Sequence, residues 1–243
     1  MVYMGSKRRI AKELLAVILK EIENKEITTW IEPFVGGANM IDKVPNTFKR
    51  IGIDINPHVI QALIGIRDHL KNLPTETDET YYKSLKGTPP DPITSWIRFV
   101  ASFGGKFENS YGRHHNTNKH KSSCTKEGHN NATKQSPKLQ DIEFICDSYD
   151  KYIYPDNCTI YCDPPYQNVT QYKTDKFNHE EFWDWCRIMS DNHIIFISEY
   201  NAPKDFKCIW EKEITTNFAS NRTKSSPRIE KLFVYDKDTI YNH

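Results

Sequence analysis

Apolar positions near the start of the chain recur with the period of a helix. Ile10, Leu14, Val17, Ile18 and Ile22 share one face over residues 6–23, and Lys12, Glu13, Lys20, Glu21 and Glu23 occupy the other. The pattern then changes to short, β-rich apolar runs at 28–34, 51–55, 142–146, 159–162, 193–197, 206–214 and 231–235. Most are nearly continuous in apolar residues, as strands covered on both faces are. Helical signals fall between several of them. Gly36-Gly37 lead into a helix expected over 38–44, and Asn56-Pro57 cap and open a second through 67. Asn178 followed by Glu181 resembles a capping box, with Phe182, Trp185, Cys186 and Met189 behind it. Strands alternating with helices predict an α/β fold with a parallel, doubly wound sheet.

The alternation stops between 68 and 139, which reads as an insertion between the second and third strands. Residues 92–100 suit a helix within it, and Phe103-Gly104-Gly105-Lys106-Phe107 follow. The chain has 243 residues and a net charge of +1, so overall charge gives no argument for a nucleic-acid partner. The charge is local instead. Residues 111–140 hold Arg113, Lys119, Lys121, Lys126, Lys134 and Lys138 against Glu127 alone, in a stretch that reads as a polar loop. His115, His120, Cys124 and His129 lie there too, but their spacing matches no zinc pattern, and no metal is expected. The six cysteines are scattered without C-x-x-C spacing, which suits free thiols in a reducing compartment. Neither a membrane span nor a signal peptide is legible, so a cytoplasmic protein is expected.

Three motifs close strands. Glu32-Pro33-Phe34-Val35-Gly36-Gly37 ends the first run, where open α/β sheets bind ligands, and glycine lets backbone approach them closely. The pattern is not G-x-G-x-x-G, which disfavours a phosphate-cradling dinucleotide site. Asp54 ends the second run, placed to accept from ribose hydroxyls or to cap the helix that follows. Asp163-Pro164-Pro165-Tyr166 ends the fourth. An exocyclic amine on a purine is a poor nucleophile. A carboxylate and a backbone carbonyl accepting its two N–H protons would free its lone pair. The prolines stiffen the backbone and remove donors, and Tyr166 offers a face to a base taken out of the stack.

With these three in place, the chain from Tyr3 to about Tyr235 resembles the adenine-N6 DNA methyltransferases typified by the Dam enzymes, with motifs in the α order. The resemblance implies a Rossmann-like sheet dependent on S-adenosylmethionine, formed by 1–67 and 140–243, with 68–139 as an inserted target-recognition region. It implies cofactor contacts from Tyr3, Lys7, Glu32, Phe34, Gly36, Gly37, Asp54, Asp147 and Asp163, and catalysis by Asp163, Pro164, Pro165 and Tyr166. Ala38 stands where many relatives carry a third glycine, and the acid of Cys146-Asp147-Ser148-Tyr149 is shifted by one position. Ser198-Glu199-Tyr200 and Arg228–Phe233 resemble later motifs of the family. Double-stranded DNA is the expected partner, met by Lys106, Arg113, Asn116, Asn118, Lys119 and Lys121. The expected enzyme is a monomer or weak dimer, in a restriction system with a cognate endonuclease, in a phage, or alone. RNA or cytosine-N4 methylation and a catalytically silent DNA-binding protein are the alternatives.

Overall fold

The computed structural model describes residues 1–112, 123–167, 177–214 and 228–237. Its helices are α1 Ala11–Ile22, α2 Pro57–Asp68, α3 Glu79–Ser84, α4 Pro92–Val100, α5 Cys124–Leu139 and α6 His179–Met189. Its strands are β1 Thr29–Glu32, β2 Lys49–Asp54, β3 Ile142–Cys146, β4 Cys158–Cys162, β5 Ile194–Glu199, β6 Phe206–Ile214 and β7 Arg228–Tyr235. The strand order is β3-β2-β1-β4-β5-β7-β6, a Rossmann-like α/β arrangement. Two compact units form, one from Met1–Leu15 with the described residues of Phe34–Tyr152, the other from Ala16–Pro33 with those of Ile153–His243. Among the described residues no helix is long and apolar enough to cross a membrane.

In the first unit β2 and β3 pair in parallel, Arg50 to Asp54 against Ile142 to Cys146. Helix α2 packs against β2 and β3, and also against α4 and α5. Asn56 caps α2 by accepting the His58 N–H at 3.0 Å, with Pro57 in the first turn. Val59, Ile60, Ala62, Leu63 and Ile66 are buried. The approach of α4 is set by Gly65, where a Cβ would lie 2.4 Å from the Pro92 carbonyl oxygen. That neighbour is backbone and cannot swing away. Gly65→Ala is therefore expected to cost about 1–3 kcal/mol, read as a lower urea midpoint at unchanged slope; a wild-type midpoint would mean that the helices do not meet there.

Two expectations about this unit are corrected. Residues 38–44 do not form a helix. Ala38 has φ 53°, only Ile41–Lys43 form a 3-10 turn, and Val44 is extended (ψ 133°). Pro45 follows directly, and the residue before a proline is pushed out of the helical region. The second correction concerns the supposed polar loop. Residues 124–139 are a helix, capped by Ser123, whose hydroxyl accepts the Lys126 N–H at 3.1 Å. Its buried positions are Thr125, Gly128, Ala132, Gln135, Ser136 and Leu139. They keep helical spacing, but all except Leu139 are small or polar, so a scan for apolar periodicity misses them. Cys124 and His129 lie on this helix; His115 and His120 fall outside the described residues. Among the described residues no group of three or more His, Cys, Asp or Glu is arranged to hold a metal.

In the second unit β1, β4 and β5 pair in parallel. Every residue of β4 is buried, which explains why its sequence is apolar except at Thr159. Trp30 stacks on Tyr161, ring centroids 6.3 Å apart. The sheet is not parallel throughout, as the alternation of strands and helices had predicted. β7 pairs antiparallel with both β5 and β6, so the last two strands form a hairpin whose second arm lies inside the first. An antiparallel pair of this kind needs no crossover helix, whereas a parallel one does.

Candidate active site

In the first unit the site is built around the turn after Phe34. The Val35 N–H donates to the Ile53 carbonyl at 2.8 Å, which holds the turn against the end of β2. Gly36 has φ 47° and donates its N–H to Oδ2 of Asp54 at 3.1 Å. Oδ1 of the same carboxylate accepts the Asn56 N–H at 2.9 Å. Helix capping is done by Asn56, so Asp54 is bound to the glycine turn rather than spent on the cap. Burial pushes the Asp54 carboxyl up to about 6, against the two backbone hydrogen bonds that lower it. Space around the turn is closed. A Cβ on Gly37 would lie 2.5 Å from Nδ2 of Asn39 and 2.8 Å from Cβ of Tyr3; one on Gly36 would lie 2.8 Å from Cε1 of Tyr3. Tyr3 thus lies across both glycines, its ring 5.8 Å from that of Phe99. Lys7 is buried. Helix α5 supports the turn from behind, with the Gln135 amide donating to the carbonyls of Gly37 and Ala38, each at 3.1 Å.

Other groups of this unit surround the ends of β2 and β3. Phe34 packs on Tyr149, centroids 5.3 Å apart. Asp147 continues the ladder past β3, its N–H 3.3 Å from the Asp54 carbonyl oxygen. Ile55, directly after Asp54, is 72% exposed, a large apolar side chain left uncovered beside a buried acid. In the sequence, its only mark is its place as an apolar residue directly after a strand-closing acid.

In the second unit the carboxyl ends of the parallel strands β1, β4 and β5 carry Glu32, Asp163 and Glu199. Glu32 is 2% exposed and accepts the Trp30 indole N–H at 3.0 Å. Asp163 and Tyr166 are half-buried and Pro164 is buried. The Tyr166 hydroxyl donates to Oε2 of Glu230 at 2.8 Å. The Tyr166 ring meets that of Tyr200 edge to face, centroids 4.6 Å apart at 87°. Glu199 accepts the Gln167 N–H at 3.2 Å and the Tyr200 N–H at 2.7 Å. Behind the loop, Tyr161 and Ser198 share a 2.8 Å hydroxyl contact. In the sequence, Glu199 and Glu230 stand out only as parts of motifs. Their tie to the Asp163–Tyr166 loop comes from strand pairing, which the sequence does not display.

Of the residues expected to meet DNA, Lys106 is exposed. Arg113, Asn116, Asn118, Lys119 and Lys121 lie outside the described residues. Phe107, next to Lys106, is wedged against Phe99 and His58, centroids 4.9 and 4.6 Å away.

The model of the D12 class N6 adenine-specific DNA methyltransferases matches residues 3–91 and 98–223. No curated protein matches the sequence significantly. Among solved structures, yhhF, a candidate methyltransferase of Escherichia coli, aligns at 10% identity over 97% of this chain and 90% of its own, with a TM-score of 0.41. PH1948, a candidate RNA methyltransferase of Pyrococcus horikoshii, aligns at 8% identity over 96% of this chain and 85% of its own, with a TM-score of 0.46. TrmN of Thermus thermophilus aligns at 8% identity over 94% of this chain and 52% of its own, with a TM-score of 0.41. These likenesses are distant, and no argument rests on them.

Proposed function

The chain belongs to the D12 class N6 adenine-specific DNA methyltransferase family, and from that premise we propose that it is a Dam-like enzyme methylating adenine N6 in duplex DNA. The cofactor is S-adenosylmethionine. The observation that carries the proposal is the loop Asp163-Pro164-Pro165-Tyr166, which closes β4 with its tyrosine held between Glu230 and Tyr200.

The first unit has the features that such a cofactor requires. Asp54 spends one lone pair on each of two backbone N–H groups and keeps acceptor capacity for ribose hydroxyls. Gly36 and Gly37 let Tyr3 close directly on the turn, and Phe34 and Ile55 offer apolar surface. When bound, the cofactor supplies an electrophilic methyl group on a sulfonium. The chain does the rest. In this proposal Asp163 and the Pro164 carbonyl accept hydrogen bonds from the two amine N–H groups of an adenine drawn out of the duplex, and the proton released as the nitrogen is methylated passes through the Asp163 carboxylate to water. Tyr166 holds the base by its face. Fixing the amine nitrogen in line supplies most of the acceleration. Lys106 and the basic residues after it hold the phosphates.

A pH dependence follows from Asp54. Its carboxyl titrates near 6 in the free protein, and the ribose needs the ionised form as acceptor. Protonation therefore competes with binding as pH falls. Affinity for S-adenosylmethionine should be level above pH 7 and weaken by about tenfold per unit well below 6. Calorimetry across pH 5–8 would show this, and Asp54→Asn should flatten the profile. An unchanged slope in that variant would remove Asp54 from the cofactor site.

The activity is tested by incubating the protein with labelled S-adenosylmethionine and duplex DNA or RNA, then analysing nucleosides. Label in N6-methyldeoxyadenosine is expected. Label in RNA or in N4-methyldeoxycytidine, or none at all, would establish one of the alternatives.

A further inference from the structure

Tyr166 is held at both ends. Its backbone follows two prolines, and its hydroxyl donates to Glu230, a residue of β7 that is 5% exposed. Next to Glu230 in sequence, Lys231 pairs with Glu199 across β5 and β7, and Glu199 anchors Gln167, the residue after Tyr166. We infer that Glu230 is a positioning residue for the target base, fixing the plane of the Tyr166 ring on which that base stacks, while Glu199 fixes the exit of the loop. The inference rests on the proposed reading of Asp163–Tyr166 as the adenine site.

A tyrosine ring turns about two side-chain bonds, and a stacking surface left free to turn loses that freedom when a base binds. A hydrogen bond to an ionised acceptor away from water removes the freedom beforehand, and it is about twice as strong as one between neutral groups. The Tyr200 edge closes off rotation on one side. Burial first, then the charges of Asp163 and Glu230, hold the Tyr166 phenol well above its ordinary range, so the hydroxyl stays a donor at working pH. Glu230 touches neither the amine nor the methyl donor in this account; it acts through Tyr166.

The test compares Glu230→Ala, Glu230→Gln, Tyr166→Phe and the double variant Tyr166→Phe/Glu230→Ala on unmethylated duplex DNA. Glu230→Ala should lower kcat/KM by about ten- to a hundredfold, with S-adenosylmethionine affinity unchanged. Glu230→Gln, which keeps an acceptor oxygen, should recover part of the loss. In the Tyr166→Phe background, Glu230→Ala should add less than about a twofold loss, because the hydroxyl it serves is gone. Equal losses in both backgrounds would show a merely structural role and overturn the inference. A second readout needs no turnover. In protein labelled with 3-fluorotyrosine, the resonance missing from Tyr166→Phe should shift in Glu230→Ala; no shift would also overturn the inference. A wild-type protein inert on DNA would overturn the proposed function, and with it the base-positioning role, even if that resonance moved. A working wild type with additive losses would overturn this inference alone.

Discussion

Asp163→Ala is expected to cut methyl transfer by at least about a thousandfold, the upper part of the range for a group that handles protons in a transition state. The variant should keep its fold. Asp163 directly follows the buried Cys162 but is itself only half-buried, so removing its carboxylate leaves the packing of β4 intact. Its position is set by that strand on one side and two prolines on the other. A neutral amine conjugated to a purine becomes nucleophilic only as its nitrogen turns tetrahedral, and an acceptor fixed opposite its protons favours that change. Asp163→Asn keeps one acceptor oxygen and should retain measurable turnover. Single-turnover kinetics with labelled cofactor separate the chemical step from binding. Alanine turnover near wild type would remove Asp163 from the chemistry.

The second large effect is on stability. Arg98→Ala should cost about 3 kcal/mol, in the range for breaking a buried ion pair. Arg98 is 2% exposed. Its guanidinium bonds Glu108, donates to the Thr88 carbonyl at 2.9 Å and lies 4.4 Å from the centre of the Phe107 ring. It thereby ties α4 to the segment carrying Lys106. Burial alone would raise the Glu108 carboxyl, but the Gly87 N–H and Arg98 hold it below its ordinary value. A depressed acid contributes stability that is present above its unfolded pKa and lost as pH falls through the folded one. The wild type should therefore lose part of its stability in acid, and Arg98→Ala should lose less there. Urea titrations at pH 7 and pH 4 check both statements; a loss under 1 kcal/mol at pH 7 would mean that the network does not bind this segment.

The strand-closing residues were legible because each follows a run whose apolar continuity marks a buried strand. Asp54 closes β2 and Asp163 follows β4 for that reason, and Asn56-Pro57 announced α2 through capping chemistry. What stayed hidden had other physical causes. The buried face of α5 carries Thr125, Gly128, Gln135 and Ser136, and it stabilises through close approach and hydrogen bonds rather than apolar area. Residues after Gly37 read as helical until the left-handed Ala38 and the approach of Pro45 are weighed. Glu199 and Glu230 look like ordinary strand charges; their meeting with Gln167 and Tyr166 depends on β7 lying beside β5. Chemistry set by neighbours along the chain was readable. Chemistry set by strand pairing was not.

The proposed activity is methylation of adenine N6 in DNA through the loop at Asp163. Mapping N6-methyladenine in DNA from cells that make either the wild-type protein or Asp163→Ala tests it most directly. Adenines modified within a defined short sequence are expected in the first and none above background in the second. Wild-type DNA without N6-methyladenine, or equal modification with both proteins, would contradict it.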